Sequence, residues 1–192
     1  MDWRSPGAGP LSYGRVYSEE EIWENYTYFI KKVAPVAEEA GVRIGIHPED
    51  PPVPMLGGVP RIFINFDNYV RALEIADSPN IGLCLCCGNL LAAGNQWGKD
   101  FVETVHYFGK RRKIFKIHVQ ALTAPLPHFV ETVVDDCYFD YYKIIKALRE
   151  VDYDGGIMPA HMPVSPSGPR VMEAYTFGYM RALIKRANEE VG

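Results

Sequence analysis

Apolar positions along this chain switch between two periods. After Ser18, with Glu21 three residues on, apolar side chains fall at Ile22, Tyr26, Phe29, Val33 and Val36. That spacing lays one stripe along a helix, with a capping box at its start and Gly41 at its end. Val42 to Ile46 then reads as a strand, stopped by His47-Pro48 and a loop dense in proline and acid. The pattern recurs. A helix capped at Asp67 and carrying Val70, Leu73 and Ala76 precedes a strand from Asn80 to Cys86, ended by Gly88-Asn89. A helix through Phe101, Val105 and Phe108, closing at Gly109, precedes a strand from Lys113 to Val119. After a long loop, Tyr141, Ile144, Ile145 and Leu148 give a helical face before the short strand Gly156-Ile157-Met158, and Met172 to Ala187 gives a last helix.

Strands alternating with amphipathic helices every roughly 35 to 40 residues predict an α/β fold of parallel βα repeats. Such a series suits either an open doubly wound sheet or about half of a TIM barrel, since a whole barrel takes about 250 residues. In both, ligands bind at the carboxyl ends of the strands.

Composition narrows the class. The 192 residues are 47% hydrophobic and 23% charged, with a net charge of −4, which fits one globular domain over 1–192 with an irregular Gly/Pro/Ser-rich lead-in over 1–17. The charge balance predicts no nucleic-acid partner. No apolar run nears the roughly 20 residues of a membrane span, and no apolar region follows Met1, so a cytoplasmic protein is expected. Of the four cysteines, Cys84, Cys86 and Cys87 crowd one segment and Cys137 stands apart, a pattern of reduced thiols rather than of a disulfide framework.

Four ligand-type residues mark the strand ends: His47, Cys86, His118 and His161. Imidazole and thiolate bind Mn, Fe, Co or Zn, so convergence of these side chains would make a metal site. A lone strand-end histidine is more often a loop residue, and a lone cysteine a small buried hydrophobe. Several in register favour the metal. Cys84 shares the Cys86 face and, with Cys137, reads as packing; His106 and His128 fall outside the register. In the loop after His47, Arg61 offers a planar fork suited to a substrate carboxylate. A rigid surface loop with solvated charges fits that stretch equally well.

The chain resembles the C-terminal half of the D-mannonate dehydratase family, which has a xylose-isomerase-like barrel. The resemblance is carried by His47-Pro48-Glu49-Asp50-Pro51-Pro52 with its Gly-x-Pro-Arg-Ile continuation, Gly82 to Asn89, Lys116-Ile117-His118-Val119, Phe129-Val130-Glu131-Thr132, and Tyr141 to Pro163. It implies Mn2+ or Fe2+ on His47, Cys86 and His118. It also implies His161 as the catalytic proton shuttle, with Arg61 and Asn89 holding substrate oxygens. The implied reaction dehydrates D-mannonate, a sugar acid, to 2-keto-3-deoxy-D-gluconate in hexuronate (glucuronate) catabolism. Tyr175 is a further phenolic candidate, although its apolar helical face reads as core.

Three departures accompany the resemblance. The family's Pro-Asp-His reads Pro159-Ala160-His161 here, so a carboxylate ligand is absent, and Glu49, Asp50, Asp136 or a water is the candidate replacement. The usual Arg-Asn after the strand histidine is Gln120-Ala121, and Cys137 stands in place of a glycine. The family's first barrel strands have no counterpart in the chain, which is either a fragment or a half-barrel completed in a homo-oligomer. The competing functions are a metal-dependent sugar isomerase or epimerase of the same fold, and an inactive half-barrel serving as a binding module.

Overall fold

Side-chain caps start the helices where the chain leaves its loops. In the computed structural model, which describes residues 10–192, α1 (Glu19–Glu39) opens with the predicted capping box. Ser18 Oγ accepts from Glu21 N at 3.2 Å, and Glu21 Oε2 accepts from Ser18 N at 2.9 Å. Residues 1–9 of the lead-in lie outside the described residues. There follow β1 (Ile44–Ile46), β2 (Met55–Leu56), β3 (Val59–Pro60), α2 (Phe66–Ala76), β4 (Ile81–Cys86), α3 (Cys87–Ala93) and α4 (Phe101–Lys110). Then come β5 (Ile114–Val119), β6 (Ala121–Leu122), β7 (Glu131–Thr132), α5 (Tyr141–Glu150), β8 (Gly156–Pro159) and α6 (Pro169–Val191). Asp100 caps α4 and Asp140 caps α5. The cap of α2 is Asn65 rather than Asp67, because Asn65 Oδ1 already accepts from Asn68 N at 2.8 Å. Asp67 sits instead in the first turn, where its charge favours the helix dipole.

The four long-range strands form one parallel sheet in the order β1-β4-β5-β8. Each new strand joins the same side of its predecessor, with no reversal. A doubly wound sheet reverses direction, so the order selects the part-barrel alternative. With right-handed crossovers running one way, the helices gather on one face. Leu83, Leu85, Ile117 and Val119 accordingly share a core with Val105, Phe108, Ile144 and Leu148. The alternate residues pair as Cys84 with Lys116, Cys86 with His118, and His118 with Met158, and these line the opposite, barrel-interior face. Two small hairpins, β2-β3 and β6-β7, fold in the loops beyond the carboxyl ends of β1 and β5.

One helix escapes the hydrophobic pattern. All seven residues of α3 are buried, so Cys87 to Ala93 has no polar face and shows no period. Tyr175, read above as core, is 43% exposed, and its hydroxyl meets Asp135. Among the described residues no helix is long and apolar enough to cross a membrane.

Gly45 lets β1 lie against β4. A Cβ at this position would sit 2.9 Å from Cys84 N and 3.1 Å from the Leu83 carbonyl carbon, and both are backbone atoms of a buried central strand. Gly45→Ala is expected to lower stability by about 1–3 kcal/mol, read as a lower urea midpoint with an unchanged slope.

Candidate metal centre

Register brings three side chains of ligand type together. Cys86 and His118 are directly paired across β4 and β5, and His47 stands one residue past the end of β1, next to β4. Their ligand atoms, two imidazole nitrogens and one sulfur, lie within 4.8 Å of one another. The His47 and His118 ring centroids are 5.2 Å apart. One ion bonded at about 2.1 Å to nitrogen and 2.3 Å to sulfur fits this group after small side-chain adjustments. His47 Nδ1 lies 2.6 Å from the Pro48 carbonyl oxygen, so Nδ1–H donates there and Nε2 keeps its lone pair.

The electrostatics suit the same use. Burial, followed by the proximity of His47, Lys116 and His161, pulls the His118 pKa below the ordinary imidazole value and so favours the neutral ligand form. Cys86 is 1% exposed, and burial pushes its thiol up to about 11, with Asp50 and Cys84 adding to the rise. The backbone N–H groups of Gly88 and Asn89 pull the other way. The single proton of the neutral thiol is shared between Asn89 Oδ1 at 3.7 Å and Gln120 Oε1 at 3.6 Å.

The remaining predicted residues surround this group without joining it. Asn89 is buried, and its Nδ2 donates to the Pro48 carbonyl at 3.2 Å, which ties the sulfur to the loop after β1. Arg61 fastens that loop: Nη2 donates to the Asp50 carbonyl at 2.7 Å, and Nε lies 3.4 Å from Glu49 Oε2. Burial raises the Glu49 carboxyl, while Arg61 lowers it. His161 is an exposed imidazole at the same rim, with Nδ1 3.3 Å from Glu131 Oε1 and Nε2 4.0 Å from Asp50 Oδ2. None of Glu49, Asp50 and Asp136 enters the three-residue group, which among the described residues consists of His47, Cys86 and His118. His106 is engaged elsewhere, with Glu150 at 2.8 Å. Two residues given no role from the sequence, Gln120 and Glu131, connect Cys86 to His161; Gln120 stood out there only as a departure from the family's Arg-Asn, and Glu131 only within the Phe129 to Thr132 stretch.

Known proteins resemble this chain over most of its length. The sequence profile of D-mannonate dehydratase (UxuA) matches residues 11–184. A mannonate dehydratase of Thermotoga neapolitana is 38% identical over 146 residues, covering 74% of this chain and 39% of that protein. The crystal structure of mannonate dehydratase from Streptococcus suis superposes with a TM-score of 0.80 at 30% identity, over 91% of this chain and 52% of that one. A xylose isomerase domain protein from Alicyclobacillus acidocaldarius shares the fold, with a TM-score of 0.68 at 16% identity over 90% of this chain and 62% of that one. The chain thus spans about two-fifths of the length of the curated relative and about half of the solved dehydratase.

Titration with Co2+ should produce a sulfur-to-cobalt absorption band in the near ultraviolet. Cys86→Ser should abolish the band, and His118→Ala should weaken binding beyond the roughly 10–100-fold that loss of an outer partner costs. Because the metal must displace the thiol proton, affinity should rise with pH, with a proton released on binding.

Proposed function

The chain belongs to the D-mannonate dehydratase family, and on that premise we propose that it carries the metal-binding and proton-transfer part of a hydro-lyase. The reaction converts D-mannonate to 2-keto-3-deoxy-D-gluconate in hexuronate catabolism. The observation that carries this reading is the meeting of His47, Cys86 and His118 at the strand ends, with His161 on the same rim.

Dehydration removes the C2 proton, beside the carboxylate, and the C3 hydroxyl, and the resulting enol tautomerises to the 2-keto acid. Mn2+ or Fe2+, held by His47, Cys86 and His118, would supply a Lewis acid for the substrate carboxylate. His161 takes the C2 proton on its imidazole and returns a proton to the departing hydroxyl, which leaves as water. An imidazole can both take up and return a proton, so one side chain serves both transfers. Arg61, already anchored to the loop backbone, turns the rest of its fork toward the substrate carboxylate. Asn89, with both ends of its amide engaged, serves the substrate site by holding Cys86 and Pro48 in place.

Four free thiols, three of them buried, suit a cytoplasmic setting. Each outer strand, β1 and β8, has one sheet neighbour among the described residues, and we assign the open edges to a homo-oligomer. Ala160, a methyl group between the end of β8 and His161, favours a second reading as an inactive binding module.

Turnover separates the two readings. With Mn2+ and D-mannonate, release of the 2-keto acid is expected, and His161→Ala should reduce it at least about 100-fold. Metal binding without any turnover by the unaltered chain would favour the module. Undiminished turnover by His161→Ala would remove the histidine from the mechanism.

A further inference from the structure

A run of polar side chains leads from the ligand cluster to His161. Its centre is Gln120, buried at 4% exposure one residue past the end of β5. Tyr141 holds its backbone from both sides: the phenol donates to the Gln120 carbonyl at 2.6 Å and accepts from Gln120 N at 3.2 Å. The side-chain amide is held as firmly. Its Oε1 accepts from the Cys86 thiol at 3.6 Å, and its Nε2 donates to Glu131 Oε1 at 3.0 Å. Gly88 makes room for this arrangement, since a Cβ there would collide with Gln120 Oε1.

The Glu131 oxygen that receives this bond also stands 3.3 Å from His161 Nδ1. A carboxylate oxygen only accepts hydrogen bonds. A carboxylate charge 3.3 Å from Nδ1 repels a lone pair there and attracts an N–H, so it favours the proton on Nδ1. On the far side of the ring, Nε2 lies 4.0 Å from Asp50 Oδ2, beyond hydrogen-bond range. The backbone sets the ring in this place. Ala160 N donates to the Val119 carbonyl at 2.8 Å, which continues the β5-β8 ladder, and the chain then turns at His161 with φ +50°. A left-handed conformation is disfavoured at a residue with a Cβ. Such outliers gather at functional sites, where neighbouring structure over-determines them.

We propose that Glu131 is a positioning residue that locks His161 as the Nδ1–H tautomer, leaving the Nε2 lone pair as the proton acceptor. The tautomer follows from contacts within the chain; its use in abstracting the C2 proton rests on the dehydratase reading above. Free imidazole side chains prefer the opposite tautomer, so the lock has an observable signature that mere packing does not produce. The groups facing the ring are Glu131, Asp50 and, more distantly, His118.

Long-range proton–nitrogen correlation spectra of the full, metal-free, 15N-histidine-labelled chain read the tautomer directly. The chain is held at about pH 9, where an ordinary imidazole is neutral, and His161→Gln assigns the resonance. The expected result is Nδ1–H in the unaltered protein and in Glu131→Gln, whose carbonyl still accepts, with a switch to Nε2–H in Glu131→Ala. Nε2–H in the unaltered chain overturns the proposal even if neither variant folds. An unchanged tautomer in a folded Glu131→Ala overturns it as well. The measurement uses no substrate, so absent D-mannonate turnover would defeat the dehydratase reading and leave the lock standing. Conversely, an active enzyme with an Nε2–H His161 would keep the dehydratase and lose the lock. In an active enzyme, Glu131→Ala should lower kcat about tenfold with KM within about twofold.

Discussion

The pairing of β4 with β5 is the constraint on which the site depends. It sets Cys86 opposite His118, and the β1-β4 pairing sets His47 at the neighbouring strand end. Parallel register is specified by burial: a one-residue slip would turn Leu83, Leu85, Ile117 and Val119 away from the helices and push Cys86 and His118 into them. At about 25 cal/mol per Å2 of apolar surface, that misplacement costs several kcal/mol. The ligand geometry is thus enforced by the hydrophobic face it does not belong to. The shift in register between Leu83 and Cys84 falls below the ligand pair, so the top of both strands remains aligned.

The ligands differ in how they are held. His118 and Cys86 belong to strands inside the sheet, whereas His47 stands just past the edge strand β1 and owes its orientation to the Pro48 carbonyl. The loop that supplies this carbonyl is clamped by Arg61 on Asp50 and Glu49, and by Asn89 from the start of α3. Pro48, Pro51, Pro52 and Pro54 further restrict it. Rigidity in this loop substitutes for the sheet hydrogen bonds that strands in the middle of the sheet possess.

Much of this was legible in the residues. Capping pairs, apolar periods and Gly/Pro stops marked four βα units, and strand ends carrying histidine or cysteine marked the ligand group. What escaped had physical reasons. Helix α3 is buried all round, so it carries no stripe, and Asn65 outcompeted Asp67 as a cap by one local hydrogen bond. The choice between a doubly wound sheet and a part-barrel depends on which side each strand joins, and βα periodicity is identical in both. Tyr175 sits among apolar helical positions yet points to Asp135 and solvent, because a 23-residue helix along a short exposed strand has more surface than the sheet can cover. Gln120 and Glu131 are eleven residues apart and meet only because β5 leads into the β6-β7 hairpin, a closure that no local pattern records.

The Gln120 amide joins two tasks that would otherwise be separate. One end meets the Cys86 sulfur and the other the carboxylate beside His161, while Tyr141 denies the backbone any shift. A side chain held at both ends transmits any change in one partner to the other. If the sulfur loses its proton to solvent, it becomes an acceptor facing Gln120 Oε1, and the amide is favoured to turn its N–H groups toward it. That turn would present oxygen to Glu131 and remove the bond that steadies its carboxylate, leaving His161 as that carboxylate's partner. Gln120 thus joins the strand-end group to the rim that carries His161, and a substitution at position 120 removes contacts on both sides at once.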